Sequence, residues 1–209
     1  MTNLLYLLNG TPLSEEQQNY LDIAQQELAR VSQIAAQTLT FNRQRDIKGE
    51  ASVSALLDLV LVLYQGRLAG SQIVVERRYQ NTASFLCYPG ELRQLFANLI
   101  GNAFDASRNG GRIILRERTA THPKTSQHGV RITVADMGHG MSGEVKAHLF
   151  EAFTSTKGIN GSGLGLWISK GIIEKHGGSV QFRSATQQKV HGTVFAIFIP
   201  LSDKAANHL

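Results

Sequence analysis

Gln94, Asn98 and Asn102 recur every four residues in the stretch from Glu91 to Ser107, a spacing that lines three uncharged amides along one face of a helix. An amide carbonyl is a hard, neutral oxygen, and Mg²⁺ normally reaches a protein through one or two such oxygens together with phosphates and water. An isolated Asn-x-x-x-Asn pair more often bridges or caps neighbouring backbone, so its meaning depends on what lies downstream. There, Gly161-x-Gly163-x-Gly165 stands immediately before a helical stretch. Glycines let the backbone approach an anion closely, and the helix N-terminus adds partial positive charge, so in physical terms this is a phosphate cradle. Asp136 follows a strand and offers a carboxylate able to accept from an exocyclic amine such as that of adenine, with Gly138 and Gly140 making room for a flat ring. Alone, an Asp-x-Gly-x-Gly is more often a turn.

Two familiar nucleotide folds do not fit. A dinucleotide fingerprint needs a strand directly before its glycines and an acid about 20 residues later, whereas a polar loop precedes Gly161. The lysine of a P-loop is also missing from this glycine run.

These residues require elements to hold them. Leu92, Leu95, Leu99 and Ala103, with Phe96 and Ile100 beside them, give the amide helix an apolar stripe for a core, with Pro89 in its first turn and Asn109-Gly110-Gly111 at its end. Arg112 to Thr119 and Val130 to Ala135 alternate as a strand hairpin that delivers Asp136, and a short helix is expected from Gly143 to Leu149. Leu164 to His176 is helical, with Leu166, Ile168, Ile172 and Ile173 inward and Trp167 assigned to the core. Ser179 to Ser184 and Thr193 to Pro200 close the chain as strands. Before the amide helix come a helix from Ser54 to Leu68, a strand from Ile73 to Tyr79 and a short strand at Phe85 to Tyr88, while Asp46 to Glu50 reads as a linker. At the start, a helix is expected to end at Asn9-Gly10. A capping box at Ser14 and Gln17 then opens a long helix to about Arg43. Its Leu21, Ala24, Leu28, Val31, Ala35 and Thr38 have bundle-seam spacing, which predicts dimerisation into a four-helix bundle.

The 209 residues carry a net charge of +5, which favours anionic ligands, but the basic residues are scattered without interleaved aromatics and do not suggest nucleic acid. The single cysteine, Cys87, excludes an intrachain disulfide and suits a reducing cytoplasm. No apolar run approaches the ~20 residues of a membrane span, and the start lacks the basic residues of a signal peptide, so no membrane contact by this piece is expected. His139, His148 and His176 lack metal-ligand spacing and read as solvated or core histidines.

Taken together, Asn98-x-x-x-Asn102, Asp136-x-Gly-x-Gly140, Phe150-x-x-Phe153 with Thr156-Lys157, and Gly161-x-Gly163-Leu164-Gly165-Leu166 resemble, in order and spacing, the N, G1, F and G2 boxes of the catalytic ATP-binding domain of bacterial sensor histidine kinases, within the gyrase, Hsp90, histidine kinase and MutL superfamily. Gly192-Thr193-x-Phe195 looks like that family's final strand, and Asn102-Ala103-Phe104-Asp105-Ala106 is similar to the nitrogen-regulation subtype. The resemblance implies an α+β fold, a two-layer α/β sandwich of the Bergerat type in which a mixed sheet lies against three main helices, preceded by a helical hairpin. It divides the chain into residues 1–45, a truncated dimerisation and phosphoacceptor hairpin; 46–201, the catalytic domain; and 202–209, a tail.

By the same resemblance Asn102 is the Mg²⁺ ligand with Asn98 assisting, and Asp136 binds the adenine amine in a pocket shaped by Gly138 and Gly140. Gly161, Gly163, Leu164 and Gly165 bind phosphates at the end of a lid from Thr154 to Ser162, which is expected to be mobile without γ-phosphate; Lys157 reaches the phosphates too. Thr193 lies behind adenine, and Phe150 and Phe153 pack the lid's hinge. The implied activity is transfer of the ATP γ-phosphoryl group to a histidine and relay to the aspartate of a response-regulator receiver domain, with ATP and Mg²⁺ as cofactors, in the cytoplasm or in the cytoplasmic part of a membrane-anchored sensor. The family's phosphorylated histidine precedes an Asn-Pro pair on the first bundle helix, and no histidine occurs here before His122. The chain is therefore expected to bind ATP or ADP but to have no acceptor of its own. Two alternatives compete with this activity. An ATPase of the gyrase, Hsp90 and MutL type carries a Glu at the position of Asn98 as base for water, a role an amide cannot fill, and a nucleotide-sensing dimerisation module would have no turnover.

Overall fold

The computed structural model describes residues 14–24, 47–107, 111–155, 162–187 and 191–201. The expected helix end at Asn9-Gly10, the seam residues Leu28, Val31, Ala35 and Thr38, Lys157, Gly161 and the tail from residue 202 lie outside them. The capping box at Ser14 forms in both directions: Ser14 N–H donates to Gln17 Oε1 at 2.9 Å and Gln17 N–H donates to Ser14 Oγ at 3.3 Å, and residues 15–24 are helical.

The segment expected as a linker instead contains strand β1 (Gly49–Ala51). It is followed by α1 (Val53–Val62), α2 (Gln65–Ser71), β2 (Val74–Tyr79), β3 (Phe85–Cys87) and α3 (Pro89–Ala106). β1 pairs antiparallel with β3, aligning Gly49 with Cys87 and Ala51 with Phe85. The backbone groups of a chain entering the domain along this edge thereby find partners, a tertiary cause that local composition does not display.

The single helix expected from Ser54 to Leu68 is two, α1 and α2, set 65° apart. Tyr64 explains the break. Its ring stacks on Phe104 with centroids 5.0 Å apart, and its hydroxyl donates to Ala97 O at 3.0 Å, so it is drawn onto α3 where a straight helix would continue past. Gly66 and Gly70 make α2 a weak helix that tertiary contacts can redirect.

After α3 come β4 (Arg112–Thr121), β5 (His128–Asp136), α4 (Gly143–Ala147), α5 (Gly165–Lys175), β6 (Ser179–Thr186) and β7 (His191–Pro200). The main sheet has the order β2-β4-β5-β7-β6; β2 and β4 are parallel and every other pair is antiparallel. Alternate residues such as Ile113 and Leu115 on β4, and Val130, Ile132 and Val134 on β5, are buried, so one face of the sheet meets the helices. Against it α3 buries Leu92, Leu95, Phe96, Leu99, Ile100 and Ala103, the predicted stripe. Alongside α3 lie α1 and α5, giving the two-layer α/β sandwich with a mixed sheet that the sequence predicts. Among the described residues, no single helix is long and apolar enough to cross a membrane.

Candidate functional site

Because α3 packs by its apolar stripe, its amide edge is left facing a cleft of about 460 Å³ between α3, the loop after β5, the start of α5 and strand β7. Asn98, Asn102, Asp136, Gly140, Gly163, Gly165 and Thr193 all line this cleft. Gly138 and Leu164 stand beside it without lining it. Gln94, one turn earlier on α3, does not line it either.

Asp136 ends β5 and is buried. Its Oδ1 accepts the N–H of Gly138 at 2.9 Å and of Thr193 at 3.1 Å. Thr193 is its register partner on β7, so the sheet itself supplies the second donor. Burial raises the Asp136 pKa, opposed by these two N–H donors and by the nearby His139. With Oδ1 occupied, Oδ2 is the oxygen this carboxylate offers a ligand. Gly138 is required by close approach: a Cβ there would collide with the carbonyl of Ala106, so the loop after Asp136 closes directly onto the end of α3.

Asn98 has a defined orientation. Its Nδ2 donates to Gly165 O at 2.9 Å and to Ser169 Oγ at 3.2 Å, tying the middle of α3 to the first turn of α5. A backbone carbonyl can only accept, so the amide's NH₂ must face α5. At the same junction Gly163 adopts φ +66°, and a Cβ would meet the backbone of Phe153. The glycine thereby lets the turn before α5 lie flat against the segment that follows α4. No groups of three or more His, Cys, Asp or Glu that could hold a metal occur among the described residues. The oxygen donors of the cleft, an amide and carboxylates, instead fit an ion that completes its shell with phosphate and water, as Mg²⁺ does.

Several placements depart from expectation. Trp167 is 52% exposed, not core. It shares the outward face of α5 with Lys170 and Glu174, three and seven residues on, while Ser169, Ile172 and Ile173 take the buried face. Phe150 packs edge-on against Phe182, with ring centroids 5.9 Å apart. Phe153 does not pack: it is 66% exposed, at φ +66°. His139 and His148 are exposed, and His148 pairs with Glu151 at 2.9 Å. The His176 side chain is 5% exposed with both nitrogens engaged, Nδ1 donating to Ile172 O and Nε2 accepting from Tyr88 N–H. It lines a second cavity of about 600 Å³ with Lys48, Tyr88 and Lys175, which contains none of the predicted site residues. Burial pushes the Cys87 thiol up to about 11, consistent with an inert cysteine.

Sequence reasoning missed three residues that shape the site. Ser184 Oγ accepts from Met141 N–H at 2.8 Å and lies 2.9 Å from Thr193 Oγ1, joining the loop after Asp136 to β6 and β7. Nothing in its local sequence marks it. Tyr64, in the break between α1 and α2, and Arg67, on α2, reach the cleft likewise without a motif.

The mixed sheet covered by helices is the fold of histidine kinase catalytic domains, and its cleft lies between helix and loop instead of at the ends of parallel strands. The chain belongs to the family of histidine kinase-, DNA gyrase B- and HSP90-like ATPases, whose model matches residues 87–203. It is 30% identical over 196 residues to the sensory histidine kinase/phosphatase NtrB of Azospirillum brasilense, covering 86% of this chain and 46% of that protein. The chain thus spans less than half the length of this curated relative. Among solved structures, the nucleotide-free catalytic domain of histidine kinase ThkA superposes with a TM-score of 0.63 at 26% identity, covering 74% of this chain and 96% of that one. Full-length ShkA in complex with AMPPNP superposes with a TM-score of 0.67 at 25% identity, covering 97% of this chain and 42% of that one.

Proposed function

We propose that this chain is the ATP-binding kinase core of a sensor histidine kinase. It transfers the γ-phosphoryl group of Mg·ATP to a histidine on the first helix of a four-helix bundle, for relay to the aspartate of a response-regulator receiver domain. In this reading residues 46–201 are the catalytic unit, and residues 1–45 belong to the bundle through which two copies pair. The bound nucleotide in the ShkA structure supports the choice of ligand.

The observation that carries the reading is the orientation of Asn98. A hydrolase of this superfamily needs a carboxylate here to take a proton from water. Asn98 instead presents its NH₂ to Gly165 O. A carboxylate in the same place would face that carbonyl with no proton to share, so the junction is built for an amide and against a general base.

The remaining roles follow from placement. Asp136 accepts the adenine amine, and Gly140 and Thr193 line the same end of the cleft. Gly163 and Gly165 present the N-terminus of α5 to phosphates, with Gly161 and Lys157 contributing from the preceding loop. Asn102 holds Mg²⁺, which when bound neutralises charge that develops on the transferring phosphoryl group. The protein's own contribution is positioning: α3 and α5 are locked by Asn98 and Ser169, so the amide edge and the phosphate cradle keep one spacing.

The test supplies radiolabelled Mg·ATP together with a separately produced bundle helix bearing the acceptor histidine. Acid-labile, base-stable phosphate on that helix is expected. Release of inorganic phosphate alone, at a rate indifferent to the helix, would overturn the kinase reading in favour of a hydrolase.

A further inference from the structure

A triphosphate entering the cleft brings several negative charges that the site must answer. Of the described residues lining the cleft, only Arg67 is an arginine or lysine. It comes from α2, the short helix turned away from α1 by the Tyr64 break.

Its guanidinium is held in place, not left to swing. Nη2 donates to Asp105 Oδ1 at 2.7 Å. The group lies 5.5 Å from the ring centroid of Phe104 and 5.9 Å from that of Tyr64. Those rings are themselves stacked 5.0 Å apart with 8° between their planes. A planar cation fixed over aromatic faces and anchored through one nitrogen keeps further N–H donors in a set fork, the geometry that matches phosphate oxygens. Asp105 stands three residues after Asn102, on the neighbouring edge of α3, so the fork sits at the same rim of the cleft as the proposed magnesium ligand. Folding does not account for the arrangement: the two side chains are 50% and 36% exposed, and ion pairs this open add little to stability.

We infer that Arg67 binds the polyphosphate of the nucleotide directly, and that Asp105 is the positioning residue that aims it. This rests on the nucleotide reading of the cleft given above.

Calorimetry on the whole chain, with Mg·ATP and with adenosine, tests it in wild type, Arg67→Met, Arg67→Lys and Asp105→Asn. Methionine keeps an apolar stem over the two rings while removing the charge, and the melting temperature of each variant reports whether the fold survives. Arg67→Met should weaken Mg·ATP by about 10-fold and flatten the salt dependence of its binding, while leaving adenosine within about twofold. Lysine should restore part of the loss, and Asp105→Asn should fall between wild type and Arg67→Met. Unchanged Mg·ATP affinity in Arg67→Met would overturn the inference and leave the cleft assignment standing. Equal losses for Mg·ATP and adenosine would also overturn it, making Arg67 a structural residue. Failure of the wild-type chain to bind Mg·ATP at all would overturn the assignment on which it rests.

Discussion

Asp136 and Glu117 are buried carboxylates on the neighbouring strands β5 and β4, placed well apart along the ladder that pairs them. Each saturates one oxygen with two donors from the protein. Asp136 Oδ1 takes the N–H groups of Gly138 and Thr193; Glu117 Oε1 takes the N–H of Thr82 at 3.1 Å and the Thr82 hydroxyl. They differ in the second oxygen. Asp136 lines the cleft, whereas Glu117 is fully enclosed and its Oε2 has no hydrogen-bond partner among the described residues. One protein uses the same chemistry twice, as a clasp where both oxygens are sealed and, at Asp136, with one oxygen left at a cavity where the proposed adenine contact would form. What separates the proposed binding carboxylate from the structural one is therefore the opening beside it, not burial or hydrogen bonding.

The largest effect expected from this contrast is on the clasp. Glu117→Ala removes the acceptor for two buried donors of Thr82 and leaves a void, so it should destabilise the fold by about 3 kcal/mol. Adenosine affinity of the folded fraction should stay unchanged, as measured by denaturant unfolding and by calorimetry. Asp136→Asn should do the reverse. Its amide oxygen still accepts from Gly138 and Thr193 and carries no buried charge, so stability should change by no more than about 1 kcal/mol. Its NH₂ now meets the adenine amine, so ATP should weaken by roughly 100-fold and the preference over GTP should shrink. The comparison breaks if Asp136→Asn unfolds as readily as Glu117→Ala while keeping its ATP preference; Asp136 would then be a second clasp.

Acidity sharpens the contrast more gently. Burial raises the Asp136 pKa, so between the ordinary carboxylate range and the raised value the native chain binds more protons than the unfolded one. This group's contribution to stability therefore falls as pH rises through that window and is regained on acidification. Nucleotide affinity has the opposite sign, because only the ionised carboxylate is a full acceptor for the amine. Calorimetry from pH of about 7 down to about 4 should show ATP binding weaken as pH falls, and Asp136→Asn should lose that dependence. The smallest effect is optical. Trp167, the single tryptophan, lies exposed two residues into α5 from Gly165, so ATP should change its fluorescence by a modest fraction in wild type and in folded Glu117→Ala. At the same ATP concentration Asp136→Asn should show much less change.

Much of this site is written in the sequence because its parts are local. The amides on α3 announce themselves by a four-residue period beside an apolar stripe, and Asp136 and Gly163 stand in short glycine patterns at element ends. Other parts depend on packing between elements distant in sequence. The break at Tyr64 arises from a ring stacked on Phe104, forty residues later in the chain. The pairing of Gly49–Ala51 with Phe85–Cys87 turns an apparent linker into a strand. Arg67 enters the cleft only because of that break. Glu117 was half visible: it falls on the inward parity of a strand that otherwise buries Ile113 and Leu115 there, but its partner Thr82 lies in an unpatterned loop. Trp167 faces outward because its angular position on α5, opposite Ser169, Ile172 and Ile173, outweighs its hydrophobicity.

The insertion of β7 between β5 and β6 has a consequence for the order in which this molecule can come into being. Asp136 owes one of its two donors to Thr193, 57 residues later, and β6 reaches the rest of the sheet only through β7. A nascent chain that has emerged as far as α5 already contains the amide helix, Asp136 and the glycines before α5, yet the strand that closes the cleft beside Asp136 has not been made. Closing so long a loop also comes late for entropic reasons. The complete cleft is therefore the last feature this domain acquires during synthesis, and a chain stopped before residue 192 carries the amides of α3, Asp136 and the glycines before α5 without the strand that closes the cleft.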